Sequence, residues 1–149
     1  KWGGTIDKFI GDAMLVFFGD PNSLGEKKDA IACVSMAVEM LEKLVDLREV
    51  WKDRGVPKSL NARMGIHSGT CTVGNFGSED RLDYTIIGRG VNLASRLESS
   101  SKPNRILISE DTRTLVKDHI ISQKKEEIYV KGISYPVQTY EISSLIKET

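Results

Sequence analysis

The spacing of apolar positions changes several times along the chain, and each change marks an element. From Thr5, the residues Ile6, Lys8 and Ile10 alternate with Asp7 and Phe9, after which Ala13-Met-Leu-Val-Phe-Phe18 is an unbroken apolar run. Alternation predicts a strand with one buried face, and a short continuous run predicts a strand buried on both. Between them stands Gly11-Asp12, with glycine first, the signature of a two-residue type II′ hairpin loop. From Lys27 to Arg54 the apolar residues Ile31, Val34, Val38, Leu41 and Val45 recur at steps of three and four. That spacing predicts a long amphipathic helix. Ser23 and Glu26 have capping-box spacing before it, and Gly55 and Pro57 end it.

Leu60 to Ser68 and Cys71 to Phe76 are expected to pair as a second hairpin bending at Ser68-Gly-Thr70. Gly77 to Arg81 is a polar loop in this reading, and Tyr84 to Ile87 a short extended run. Gly90 to Ser99 predicts a helix whose buried face is Val91, Ala94 and Leu97. After the break at Pro103-Asn104, Arg105 to Ser109 predicts a strand and Asp111 to Val116 a short helix. Glu127 to Val130 and Val137 to Ile142 are closing strands joined through Gly132 and Pro136. Strands and helices in this order suit an α+β sandwich with helices on a mainly antiparallel sheet. One more strand upstream would complete the ferredoxin-like βαββαβ plan. No internal repeat or linker divides residues 1–149, which are read as one domain.

Composition narrows the classes. The chain has 149 residues, 40% apolar and 28% charged, the balance of a globular domain. Lysine plus arginine equals aspartate plus glutamate at 21 each. Zero net charge excludes a domain held to nucleic acid by a general basic field, while leaving room for a small basic pocket. Cys33 and Cys71 lack metal-ligand spacing and are read as buried free thiols of a reducing compartment. No apolar run reaches membrane-spanning length and no signal peptide opens the chain, so a cytoplasmic location, free or as the cytoplasmic domain of a membrane protein, is expected.

Several residues could carry chemistry. Asp12, at a hairpin tip, presents hard oxygen donors suited to magnesium, although Gly-Asp is also ordinary turn chemistry. Lys8 either snorkels from the sheet face or hydrogen-bonds a base or phosphate. Asn92 and Arg96 stand four apart, which puts an amide and a guanidinium on one helical face. Gly88-Arg-Gly90 before them allows close backbone approach, and a helix N-terminus favours anions. Lys131, before Gly132, is a further point charge for phosphate or an exposed strand-end lysine. His67 is read as a strand residue and His119 as a surface residue. No P-loop, Rossmann turn, nucleophile elbow or zinc-ligand set is present.

Lys8-Phe-Ile-Gly-Asp12, Gly65-Ile-His-Ser-Gly69, Tyr84-Thr-Ile-Ile-Gly88, Val91-Asn-Leu-Ala-Ser-Arg96 and Val130-Lys-Gly132, in this order and with these gaps, resemble the class III adenylyl/guanylyl cyclase catalytic domain. Each motif alone is weak; together they are specific and span Gly3 to Ile142. The resemblance implies that Asp12 is one of two metal-binding aspartates, and that Lys8 and Thr85 read the purine ring as an adenine-type pair. It implies that Asn92 orients the ribose, Arg96 stabilises the pentavalent α-phosphate, and Lys131 binds the triphosphate. The implied reaction turns ATP into 3′,5′-cyclic AMP and pyrophosphate with two magnesium or manganese ions. Partners implied are ATP and a second copy arranged head to tail, with no nucleic acid. The family's first metal aspartate is expected on a strand upstream of Lys1, together with a sensor or membrane domain, so the 149-residue piece alone is expected to be inactive. A nucleotide-binding regulatory domain that has lost catalysis is the alternative.

Overall fold

The computed structural model describes residues 2–20, 22–55, 61–78 and 81–146, with Thr85 described through its backbone alone. Pro57, Leu60, Glu79 and Asp80 of the sequence expectations lie outside the described residues. In chain order the elements are β1 (Thr5–Ile10), β2 (Ala13–Phe17), α1 (Glu26–Asp53), β3 (Met64–Ile66), β4 (Thr72–Ser78), β5 (Arg81–Ile87), α2 (Arg89–Ser100), β6 (Ile106–Ser109), α3 (Glu110–Val116), β7 (Ile120–Ile128) and β8 (Val137–Leu145).

The three-four spacing formed α1, which buries Ala30, Val34 and Ala37. Ile31, Val38 and Leu41 pack around that contact, whereas Val45 is 53% exposed. The stripe therefore leaves the core in the second half of the helix. The capping box does not form. Gly25, at φ +103, is the N-cap and has no side chain to offer. Asp29 reaches back instead, accepting from Ser23 Oγ at 2.5 Å and from Leu24 N at 3.0 Å. A carboxylate in the first turns complements the helix dipole as the expected glutamate would have done.

The central sheet runs β3-β6-β8-β7, with β3–β6 parallel and the other pairs antiparallel. All of β6 is buried, as a strand covered on both faces must be. Its side chains alternate between two cores. Ile106 and Ile108 join Val34, Ile66, Val116 and Ile142 on the side of α1 and α3. Leu107 joins Leu93, Leu97, Val130 and Val137 on the side of α2. Burying a side chain such as Leu97 fully contributes about 1.5–3 kcal/mol. The mixed α+β architecture expected from the sequence is thus present.

Local pairings depart from expectation in several places. β3 does not form a hairpin with β4; it takes β6 as a parallel partner, which requires the long crossover through β4, β5 and α2. β4 pairs with β5 from Thr72↔Ile87 to Ser78↔Arg81, so much of the expected polar loop is strand. β7 begins at Ile120 and ends at Ile128, because bulges near Ser122 and between Lys124 and Glu127 break the alternation that would have revealed it. On α2 the buried residues are Leu93 and Leu97, while Val91 and Ala94 are half-buried.

β1 and β2 form the expected hairpin. Ile10 pairs with Ala13, leaving Gly11-Asp12 as the loop, and Gly11 has φ +61 as a type II′ turn requires. The apolar run of β2 is not buried on both faces, however. Ala13 and Met14 are exposed, Leu15 and Val16 half-buried and Phe17 buried, since the hairpin is anchored at its base and projects from the core.

Candidate active site

The position of α2 follows from one glycine. A Cβ on Gly65 would lie 2.2 Å from Glu98 N and 2.5 Å from Ala94 O, both backbone atoms of α2. With no side chain there, the helix lies directly on β3, and Leu93 and Leu97 bury themselves beneath it. The opposite face is left open. Asn92, Ser95, Arg96 and Ser99 line a cleft of about 590 Å³ together with Val130 and Lys131. Lys131 reaches this cleft from the turn after β7, where Val130 is buried, Ile133 N donates to Val130 O at 3.0 Å and Gly132 takes φ +90. Three of the six residues singled out in the sequence, Asn92, Arg96 and Lys131, therefore share one concavity. A guanidinium and an ammonium there suit a polyanion, and an amide adds directional hydrogen bonds.

Lys8 and Asp12 belong to the exposed hairpin and do not line that cleft. Asp12 sits at the tip as expected. Among the described residues no group of three or more histidine, cysteine, aspartate or glutamate side chains could hold a metal ion. Asp12 thus offers a single carboxylate, and the described residues do not fit a two-ion centre. Thr85 lies on β5, opposite Gly74 of β4. β1 and β5 are joined through Asp7, whose Oδ2 accepts from Ile86 N at 3.5 Å.

Sequence reasoning missed a polar network behind the first turn of α2. The His67 side chain is 10% exposed, and its Nδ1 is 2.8 Å from Ser109 Oγ. Ser68 Oγ is 2.9 Å from Thr112 Oγ1, and Ser109 Oγ accepts from Thr112 N to cap α3. A Cβ on Gly90 would meet Cys71 Sγ at 3.1 Å and His67 Cδ2 at 3.2 Å, so both side chains press on the start of α2. His67 and Asp111 also border a smaller cavity of about 180 Å³ with Arg89 and Tyr135. Burial pulls the His67 imidazole below its ordinary pKa, against the opposing pull of the Asp111 carboxylate. His67 lies just beyond β3, and His119 is half-buried where a surface residue was expected. Burial pushes the Cys33 thiol up to about 12 and raises that of Cys71, as expected of inert free thiols.

Residues 6–144 match the adenylate and guanylate cyclase catalytic domain. The chain belongs to this family. Among solved structures it is similar to the adenylyl cyclase CyaB from P. aeruginosa, with 56% identity and a TM-score of 0.91 over 96% of this chain and 73% of that one. It is also similar to the guanylyl cyclase Cya2, at 34% identity and a TM-score of 0.88 over 98% and 73% of the two chains. The terminal-differentiation specific adenylate cyclase of Dictyostelium discoideum is 37% identical over 94% of this chain, which is 6% of that protein. The chain spans between 6% and 28% of the length of such curated relatives. Cyclases named for adenine and for guanine nucleotides share this fold, so the choice of base depends on particular side chains. Among the described residues no helix is long and apolar enough to cross a membrane.

Proposed function

We propose that this cyclase domain is an adenylyl cyclase. The convergence of Asn92, Arg96 and Lys131 on one cleft supports the cyclase chemistry most, and the pair Lys8 and Thr85 supports the choice of adenine. In this reading the ribose 3′-oxygen of ATP attacks the α-phosphorus. A new O–P bond forms, the bond to the pyrophosphate oxygen breaks, and the 3′-hydroxyl proton is lost. Lys131 holds the triphosphate. Asn92 orients the ribose so that the attack is in line, an entropic contribution. Arg96 meets the charge that builds on the α-phosphoryl oxygens as the bonds exchange.

Lys8 and Thr85 read the purine. Adenine offers an acceptor at N1 and a donor at N6, which an ammonium and a hydroxyl can meet together. Asp12 is the carboxylate this chain would offer to a divalent cation, which would offset charge on the triphosphate. One carboxylate does not by itself supply the donors that two ions need, so full activity needs donors beyond those described. A head-to-tail second copy is part of the same proposal. One solved relative is described as a dimeric guanylyl cyclase domain and another as monomeric.

The deciding experiment measures cyclic AMP and cyclic GMP formation from ATP and GTP, under identical magnesium, by a chain extended upstream. Higher efficiency with ATP is expected. Equal or higher efficiency with GTP overturns the base assignment. No turnover of either nucleotide, with binding retained, establishes the regulatory alternative.

A further inference from the structure

Asp7 is a buried charge in an exposed hairpin. Its side chain is 1% exposed, while Ile6 and Phe9 beside it are 57% and 71% exposed. Simple alternation would put Asp7 and Phe9 on the same face. The ladder explains the difference: Ile6 pairs with Val16 and Lys8 with Leu15, so Asp7 is an extra residue, a β-bulge. A bulge re-aims a side chain, and such irregularities concentrate beside functional sites. Burying a carboxylate costs free energy unless it is met by hydrogen bonds or opposite charge. Two partners of Asp7 Oδ2 are informative. Lys8 Nζ lies 3.8 Å away, and Ile86 N, the amide that follows Thr85, donates at 3.5 Å.

One carboxylate thus stands within ion-pair distance of the side chain of one proposed base-reading residue and accepts from the backbone next to the other. We propose that Asp7 is a positioning residue for base selection, a clamp that fixes Lys8 against β5 so that the purine site accepts adenine over guanine. The proposal rests on the adenylyl cyclase reading above. Its chemical reason is that an ammonium alone does not distinguish the two bases. It donates as well to guanine O6 as to adenine N1, both acceptors on adjacent ring positions. Lysine carries its charge on a four-carbon stem with many rotamers. An untethered Lys8 can therefore follow either acceptor. A Lys8 held at a set distance from Thr85 meets N1 only when N6 can donate to the second residue, and guanine then leaves polar groups unpaired.

The test is calorimetric binding of α,β-methylene ATP and α,β-methylene GTP to the full chain and to Asp7→Asn, with hydrogen exchange at the Ile86 amide measured without nucleotide. Asp7→Asn keeps the shape and removes the charge. We expect the ratio of ATP-analogue to GTP-analogue affinity to fall about tenfold, the scale of one misplaced charge-assisted hydrogen bond. Exchange at Ile86 should accelerate. The effect should also shrink when Lys8→Ala is already present, since contacting residues are not additive. Should Asp7→Asn fail to fold, Asp7→Glu retains the charge and shifts it by one methylene, and its ratio should still fall. An unchanged ratio in a folded variant, or equal weakening of both analogues, overturns the proposal and leaves Asp7 a structural residue. Unchanged Ile86 exchange overturns the clamp whatever the nucleotides do. Failure of the underlying assignment looks different: the unmodified chain itself would show no preference for the ATP analogue.

Discussion

The helix α2 and the β1–β2 hairpin both carry residues assigned to the nucleotide, but they hold them in opposite ways. α2 lies with its backbone against β3 at Gly65, anchored by Leu93 and Leu97, so Asn92 and Arg96 stand on a rod seated in the core. The hairpin is buried only at its base, and Lys8 and Asp12 are exposed on it. A bulged, buried carboxylate lies 3.8 Å from Lys8 Nζ and also accepts from β5, the contact proposed above to position Lys8. Groups that act on the reacting phosphorus need sub-ångström placement and gain from a rigid seat. Base-reading groups need only a relative placement, which one carboxylate between two strands can set. The division predicts that lesions in the two regions fail differently, in rate for α2 and in selectivity for the hairpin.

The largest expected effect is on the α2 side. Arg96→Ala in an active, upstream-extended form should lower kcat about 10²–10³-fold and change the KM for ATP far less, because in its proposed role the guanidinium acts on charge that exists only in the transition state. Single-turnover and steady-state assays on ATP read the split. Unchanged kcat in a folded variant returns Arg96 to the role of a surface residue. Lys8→Glu combined with Thr85→Cys should do the reverse, keeping turnover measurable while the ATP-to-GTP ratio of kcat/KM falls on the order of 10- to 100-fold. If that pair of changes abolishes turnover of both nucleotides alike, the hairpin is not a separate selectivity element.

The long helix, the hairpin tip and the Asn92–Arg96 face were legible because their signals are local, whereas the buried face of α2 was only partly so, with Leu93 in place of Val91 and Ala94. Three-four spacing gave α1, glycine before Asp12 gave the two-residue loop, and the four-residue step put Asn92 and Arg96 on one surface. The parallel β3–β6 pair was not legible, since its partners are about forty residues apart and the nearer strand β4 offered a hairpin instead. β7 was hidden by its charged stretch Lys124 to Glu127 and by its bulges. The burial of Asp7 was hidden for the same reason: one extra residue in β1 changes which side chains share a face. Motif order carried the site assignment, but no local pattern announced that His67 would bond Ser109, because that contact joins residues brought together by the parallel crossover.

A smaller effect, on stability, sharpens the contrast between the seats. Gly65→Ala puts a methyl group into the α2 backbone, where neither atom can rotate away, and should destabilise the domain by about 1–3 kcal/mol. Gly11→Ala meets nothing within 4 Å. Its cost is the positive φ alone, about 1 kcal/mol. Urea unfolding of the two variants measures both values. The Gly65 variant should also lose kcat as Asn92 and Arg96 shift with the helix, and the Gly11 variant should not share that loss through α2. Equal destabilisation by the two would show that α2 can back away from β3 at little cost.

The smallest effect concerns acid. His67 is held below its ordinary pKa near 6.5 by burial, with Asp111 pulling the other way. The unfolded chain therefore binds the proton more readily than the folded one, and stability rises with pH across the window between the two values. The contribution is fully present above the unfolded value and is lost as pH falls through the folded one. His67→Asn, which can still bond Ser109 Oγ, should flatten the fall in melting temperature between pH 7 and pH 5. Asp111→Asn should steepen it by removing the charge that favours the imidazolium. Because His67 presses on Gly90 at the start of α2, acid should lower the protection of the Gly90 to Asn92 amides, relative to their intrinsic exchange rates, before it affects β1 and β2. If protection is lost first in the hairpin, or if His67→Asn leaves the acid limb unchanged, the imidazole is not what seats the first turn of α2.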